Sequence, residues 1–74
     1  MALFGPDYPT LQRGIVNLKS GSSFRGVIWQ RKGGYLTLRN AELLRAKNEV
    51  VEIVGEVAIP ERDIEFIQLP GEVL

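Results

Sequence analysis

Short segments that alternate between apolar and polar residues, separated by glycine and proline, fill most of this 74-residue chain. Alternation with a period of two predicts half-buried β-strands, because successive side chains of a strand point to opposite faces. The connections between the segments are short, which favours an antiparallel sheet. The predicted strands cover residues 14–19, 23–31, 35–44, 50–59 and 63–69.

Three positions shape the predicted sheet. Gly26, in the middle of the second strand, indicates a sharp bend or a close approach of two backbones. The pair Gly33-Gly34 is typical of a tight hairpin turn, because both residues take positive φ at little cost. Pro60 ends the fourth strand, since proline donates no ladder hydrogen bond. A five-stranded sheet with one bend and one break is expected to curl into a small all-β barrel.

The first residues predict a short helix. Asp7 is a suitable capping residue and Pro9 fits the first helical turn, so a helix is expected over about residues 7–12. The apolar residues 1–4 lack the basic flank of a signal peptide, and no apolar run approaches the roughly 18 residues of a membrane span. A soluble, cytoplasmic protein without membrane contact is therefore expected.

Composition excludes several kinds of chemistry. The chain contains no cysteine and no histidine, so it has neither disulfides nor the commonest metal ligand and general base. The serines at positions 20, 22 and 23 have no histidine to activate them. We expect no enzyme activity, no cofactor and no metal. A domain this small rarely gains enough stability from its own core, which favours oligomerisation.

The net charge of zero conceals an uneven distribution. Residues 1–41 hold six basic residues and one acidic residue, whereas residues 42–74 hold eight acidic and three basic residues. The two segments therefore carry +5 and −5. This pattern is typical either of ordinary solvated strand faces or of a molecule with one basic surface for a polyanion and one acidic surface.

Two predicted strands carry more apolar side chains than one buried face requires. The fourth strand has Val50 and Val54 on its otherwise polar face, and the last strand is apolar on both faces. These residues either close the barrel internally or form edges that another chain covers.

Aromatic and basic residues surround the hairpin turn. Trp29, Arg31, Lys32 and Tyr35 flank the glycine pair, and such a combination can stack on bases and contact phosphates of single-stranded nucleic acid. Trp29 is better suited to a core or an interface than to stacking, whereas Tyr35 is equally suited to packing and to stacking. The two cations would look the same in an ordinary solvated turn.

Two stretches resemble the motifs of the Sm-like (LSm) family. Residues 15–44 resemble the first Sm motif, with a strand, glycine turn and bent strand at 18–28 and a third strand at 36–42. Residues 55–67 are similar to the second Sm motif. The resemblance covers almost the whole chain, and the order of a helix followed by five strands agrees with it.

The resemblance implies a short N-terminal helix on a strongly bent five-stranded antiparallel barrel, in one domain over residues 1–74. It also implies a homo-oligomeric ring of about five to seven subunits, in which the fourth strand of one subunit pairs with the fifth strand of its neighbour. The interface residues expected from this pairing are Val50, Glu52, Val54, Ile64, Phe66, Ile67 and Leu69.

For function, the resemblance implies binding of short single-stranded RNA near the pore of the ring. The family uses an Asp, a stacking residue and an Asn after the second strand, where this chain has Lys32, Gly34 and Tyr35. It uses an Arg and a Gly in the second motif, where this chain has Pro60 and Glu61. None of these identities is retained, which predicts an altered or relaxed base preference. The expected RNA-binding residues are Arg31, Lys32, Gly34, Tyr35 and Arg62.

Two alternatives remain at this level. The first is a ring-forming scaffold or assembly protein that has lost RNA binding. The second is a monomeric SH3-type barrel that binds a peptide.

Overall fold

The computed structural model describes residues 10–45 and 48–69, which form one antiparallel sheet. The strand order is β4-β3-β2-β1-β6, and β5 also pairs with β3. A single 3₁₀ turn, Glu61–Asp63, joins β5 to β6. The strands are β1 (Gln12–Leu18), β2 (Ser23–Lys32), β3 (Tyr35–Leu44), β4 (Val50–Glu52), β5 (Val57–Pro60) and β6 (Ile64–Gln68).

The strand predicted over residues 50–59 is two strands. β4 pairs with the end of β3 (Glu42 opposite Glu52), and β5 pairs with its beginning (Leu38 opposite Val57). Between these two pairs β3 has three residues, 39–41, whereas the segment that joins β4 to β5 has four, 53–56. The turn at Gly55, with φ of +93°, absorbs this excess and leaves the Val54 side chain 99% exposed.

Gly26 lets β2 bend closely over β3. A Cβ atom at this position would lie 2.9 Å from the Arg39 carbonyl oxygen and 3.0 Å from the Ala41 Cα atom. The pairing of β2 with β3 shifts register between Arg25 and Val27, beside this contact. The close backbone approach predicted from the sequence is therefore present, and it lets a short sheet curve around its own core.

The core is small and comes from five strands. Leu36 and Leu38 of β3 are fully buried, as their alternation predicts, and β1, β2, β5 and β6 contribute the rest. Five further apolar side chains, including Ile53 and Val57, pack against this cluster. The buried residues are Val16, Ile28, Leu36, Leu38, Ala41, Ile59 and Ile64.

The helix predicted over residues 7–12 falls largely outside the described residues, which begin at Thr10. Gln12 belongs to β1, where it lies opposite Ile28. Within the described ranges, no helix has the length and apolar character needed to cross a membrane.

The Gly26 contact predicts a large effect from a small substitution. Gly26→Ala should lower the free energy of unfolding by about 1–3 kcal/mol, because the added methyl group meets backbone atoms that cannot rotate away. Gly33→Asn is the matched control: Gly33 has φ of +60° and open space at its Cβ position. Asparagine tolerates this conformation, so the control should change stability by less than about 0.5 kcal/mol. Urea unfolding of both variants at one protein concentration measures the difference, and equal effects would contradict this account.

Candidate functional site

The structure brings two loops of the chain together at one end of the sheet. The β2–β3 hairpin turns at Gly33 and Gly34, with φ of +60° and +80°, as predicted for a tight hairpin. Tyr35, just after the turn, lies opposite Pro60 at the end of β5. The Glu61 backbone N–H donates to the Gly34 carbonyl oxygen at 2.8 Å. Residues 31–35 and 60–62 therefore form one surface, which we call the two-loop surface.

All five residues predicted to bind RNA lie on this surface. Four belong to the hairpin, and Arg62 follows Glu61 in the 3₁₀ turn. The Tyr35 side chain is 45% exposed, so part of its ring is open to a ligand. Within the described ranges, Lys32 and Arg62 are exposed and form no ion pair. The surface thus offers an aromatic ring with two available cations.

The remaining hairpin cation is held in place. Arg31 Nε donates to a carboxylate oxygen of Glu61, which joins the end of β2 to the turn after β5. Glu61 stands where the Sm-like family has a Gly, and the resemblance implies no role for a carboxylate there. The two residues are 30 positions apart in the chain, so no local sequence pattern predicts this ion pair.

Trp29 lies outside the two-loop surface. It is half-buried, and the Arg39 guanidinium carbon lies 3.6 Å from the centre of its ring. Arg39 Nε also donates to Glu56 at 2.6 Å. This cation–π stack covers one face of the indole, so the structure favours a packing role for Trp29 over a stacking role.

Two strand edges lack a partner within the described part of the chain. β6 pairs only with β1, and β4 and β5 pair only with β3. Exposed apolar side chains mark both edges, with Val50 and Val54 on one and Phe66 and Leu69 at the other. Glu52 is also exposed, opposite Glu42 of β3.

Two of the predicted interface residues are buried or half-buried within the subunit itself. Ile64 is only 3% exposed and belongs to the core, so its side chain is not available to a neighbour. Its position at the start of β6, directly after the 3₁₀ turn, directs it inward. Ile67 is half-buried and packs against the core. The alternation in β6 marks its faces, but a strand with apolar residues on both sides does not show which face is inside.

Shallow grooves lie elsewhere on the molecule. One, of about 330 Å³, is lined by Gly14, Ile15 and Leu69 together with polar residues, and a second of about 320 Å³ is lined mainly by polar residues. Arg13 borders both. Neither groove includes a residue of the two-loop surface.

Comparisons with known proteins identify related structures but no related sequence. No protein-family model matches the chain, and no curated protein matches it. An Sm protein of Pyrococcus abyssii, solved in complex with a uridine heptamer, matches with a TM-score of 0.72 and 26% identity, covering 82% of this chain and 86% of that one.

Two further solved structures have the same fold. A heptameric archaeal Sm protein matches with a TM-score of 0.72 and 19% identity, over 82% of this chain and 88% of that chain. A chain of the NatC complex bound to CoA matches with a TM-score of 0.70 and 21% identity, over 82% of this chain and 78% of that chain.

Neighbouring positions of β3 should differ sharply in their effect on folding. Tyr35→Ala removes an exposed ring and should lower the free energy of unfolding by about 0.5–1 kcal/mol. Leu36→Ala empties a fully buried site and should cost about 2–5 kcal/mol. Urea unfolding checks both values. A Tyr35 variant as unstable as the Leu36 variant would show that the ring serves packing and not a binding surface.

Proposed function

We propose that this chain, which has the Sm fold, is an Sm-like protein that assembles into a closed homo-oligomeric ring and binds single-stranded RNA at the two-loop surface. The observation that carries the proposal is the meeting of the β2–β3 hairpin with the β5–β6 turn. That contact joins the hairpin, which holds Lys32 and Tyr35, to the turn that holds Arg62.

The two free edges support the ring. The outer edge of β4 and β5 and the outer edge of β6 each present backbone groups without a partner strand among the described residues. If the β4 and β5 edge of one subunit pairs with the β6 edge of the next, the contact is head-to-tail. Such contacts form a ring when the rotation between neighbours closes. Burial of Val50, Phe66 and Leu69 in this contact adds apolar area to a core that contains only seven buried residues among those described. A ring of about five to seven copies is consistent with the related heptamer.

The chemistry of the two-loop surface supports RNA as the ligand. A base stacks on an exposed tyrosine ring irrespective of its sequence, and nearby cations bind the phosphates on either side of it. Lys32 and Arg62 are suited to that task because each is exposed and unpaired within the described ranges. A ring repeats this set in every subunit, so contacts that are individually weak combine along one strand of RNA.

The same residues account for a relaxed base preference. Reading a base requires donors and acceptors that face its edge. Gly34 has no side chain, Pro60 has no polar side-chain group, and Glu61 is occupied by Arg31. Stacking and phosphate contacts remain, and both accept any base. We therefore propose binding that depends on backbone charge more than on base identity.

A ring-forming scaffold without RNA binding is the second candidate. The pairing of Arg31 with Glu61 favours it, because that pair neutralises one of the three cations. A chain of the NatC complex has the same fold, so the fold by itself is no evidence of RNA binding.

The ring predicts a specific response to a charge on the β6 edge. Light scattering after gel filtration should give a mass several times the 8.3 kDa subunit. Phe66→Glu should reduce that mass towards one subunit, because it places a carboxylate in an apolar edge contact. Gln30→Glu adds the same charge to β2 in the middle of the sheet and should leave the mass unchanged. A wild-type protein that elutes as a monomer would contradict the ring.

RNA binding is tested by titrating oligo(U), oligo(A) and a mixed sequence at two salt concentrations. All three should bind with similar affinity. Tyr35→Ala should weaken binding by at least about fivefold, the lower end of the loss expected for one stacked base, because the substitution removes the tyrosine from every subunit of the ring. Lys32→Ala should weaken binding and flatten the salt dependence by about 0.7 in slope per lost phosphate contact. Arg45→Ala removes a cation just after the far end of β3 and should change neither. An intact ring without affinity at low salt would favour the scaffold.

A further inference from the structure

We infer that Glu61 restrains RNA binding at the two-loop surface by competing with phosphate for Arg31. The inference rests on the proposed function and adds to it a residue that sets affinity and salt dependence. Glu61 thus acts against the cations beside it. It keeps the affinity of the surface low for a ligand that does not contact several subunits at once.

The geometry of the pair places the carboxylate where a phosphate would otherwise sit. Arg31 Nε donates to a Glu61 carboxylate oxygen, and the Arg31 side chain is 42% exposed while the Glu61 side chain is only 16% exposed. Glu61 is therefore the more shielded partner and Arg31 the more accessible one. A phosphate can approach Arg31 from solvent, but it has to share or replace the Glu61 contact.

The backbone keeps Glu61 at that position. Its N–H donates to the Gly34 carbonyl oxygen at 2.8 Å, and Pro60 before it lies opposite Tyr35 in the ladder. The backbones of Tyr35 and Glu61 are thus tied together by these contacts. The Glu61 backbone cannot leave the surface without opening the contact between the two loops.

Two physical effects make Glu61 oppose binding. Its negative charge repels a phosphate that approaches the neighbouring cations Lys32 and Arg62. In addition, a phosphate that captures Arg31 leaves a shielded carboxylate without its partner, which is unfavourable. Both effects disappear when the charge is removed and the shape is kept.

Glu61→Gln makes this change and retains the backbone hydrogen bond to Gly34. We expect the variant to bind oligo(U) and oligo(A) at least about threefold more tightly at low salt, because one surface charge beside an anionic ligand has an effect of about three- to tenfold and the substitution removes that charge from every subunit. The slope of log affinity against log salt should become steeper by about 0.7 for each subunit whose Arg31 is transferred to a phosphate. Filter binding at several salt concentrations measures both quantities.

Glu42→Gln is the matched control. Glu42 pairs with Arg25 at 2.7 Å near the far end of β3, so the substitution removes the same charge and the same type of ion pair away from the two loops. Its RNA affinity should equal that of the wild type. Circular dichroism and light scattering confirm that both variants retain fold and assembly.

A double-mutant cycle with Arg31→Gln separates competition from simple repulsion. Competition requires that Glu61→Gln gain more affinity when Arg31 is present than when it is absent. A wild type that binds RNA, combined with equal or weaker binding by Glu61→Gln, overturns the inference and leaves the proposed function intact. Absence of binding by both proteins overturns the proposed function itself.

Discussion

The close contact between Gly26 and the backbone of β3 is the constraint on which the rest of this structure depends. Only a residue without a side chain allows β2 to approach the Arg39 carbonyl oxygen and Ala41 so closely. That approach curves the sheet, so that β1, β2, β3, β5 and β6 all contribute side chains to one core. The same curvature carries the hairpin to the turn after β5, and the two-loop surface is the product of this meeting.

Much of the fold could be predicted because its signals are local. The inward positions of Leu36 and Leu38 follow from alternation, and the hairpin at Gly33 and Gly34 follows from turn chemistry. The division of residues 50–59 into two strands could not be predicted in the same way. A difference of one residue in length between two paired segments is seen only when their pairing is known. The sequence of either segment alone does not reveal it.

The candidate site was predictable in its cations and its aromatic residue, but not in their arrangement. Lys32, Tyr35 and Arg62 are conspicuous by type and by position in loops. The partners of the other arginines depend on closure of the sheet, which joins Arg31 to Glu61 and places Arg39 between Trp29 and Glu56. Burial is ambiguous wherever a strand is apolar on both faces, and Ile64 shows the consequence, since it is only 3% exposed and belongs to the core of the subunit.

The two free edges have an evolutionary consequence. Residues of β4 and β6 lie at opposite ends of the strand order within one chain, yet the proposed ring brings them together between copies. A change in the size of the Val50 side chain would then be compensated by a change near Phe66 of the neighbouring copy. Homologous sequences should therefore contain pairs of co-varying positions that are far apart in a single subunit. Such pairs would identify the positions that are in contact between neighbouring copies of the chain.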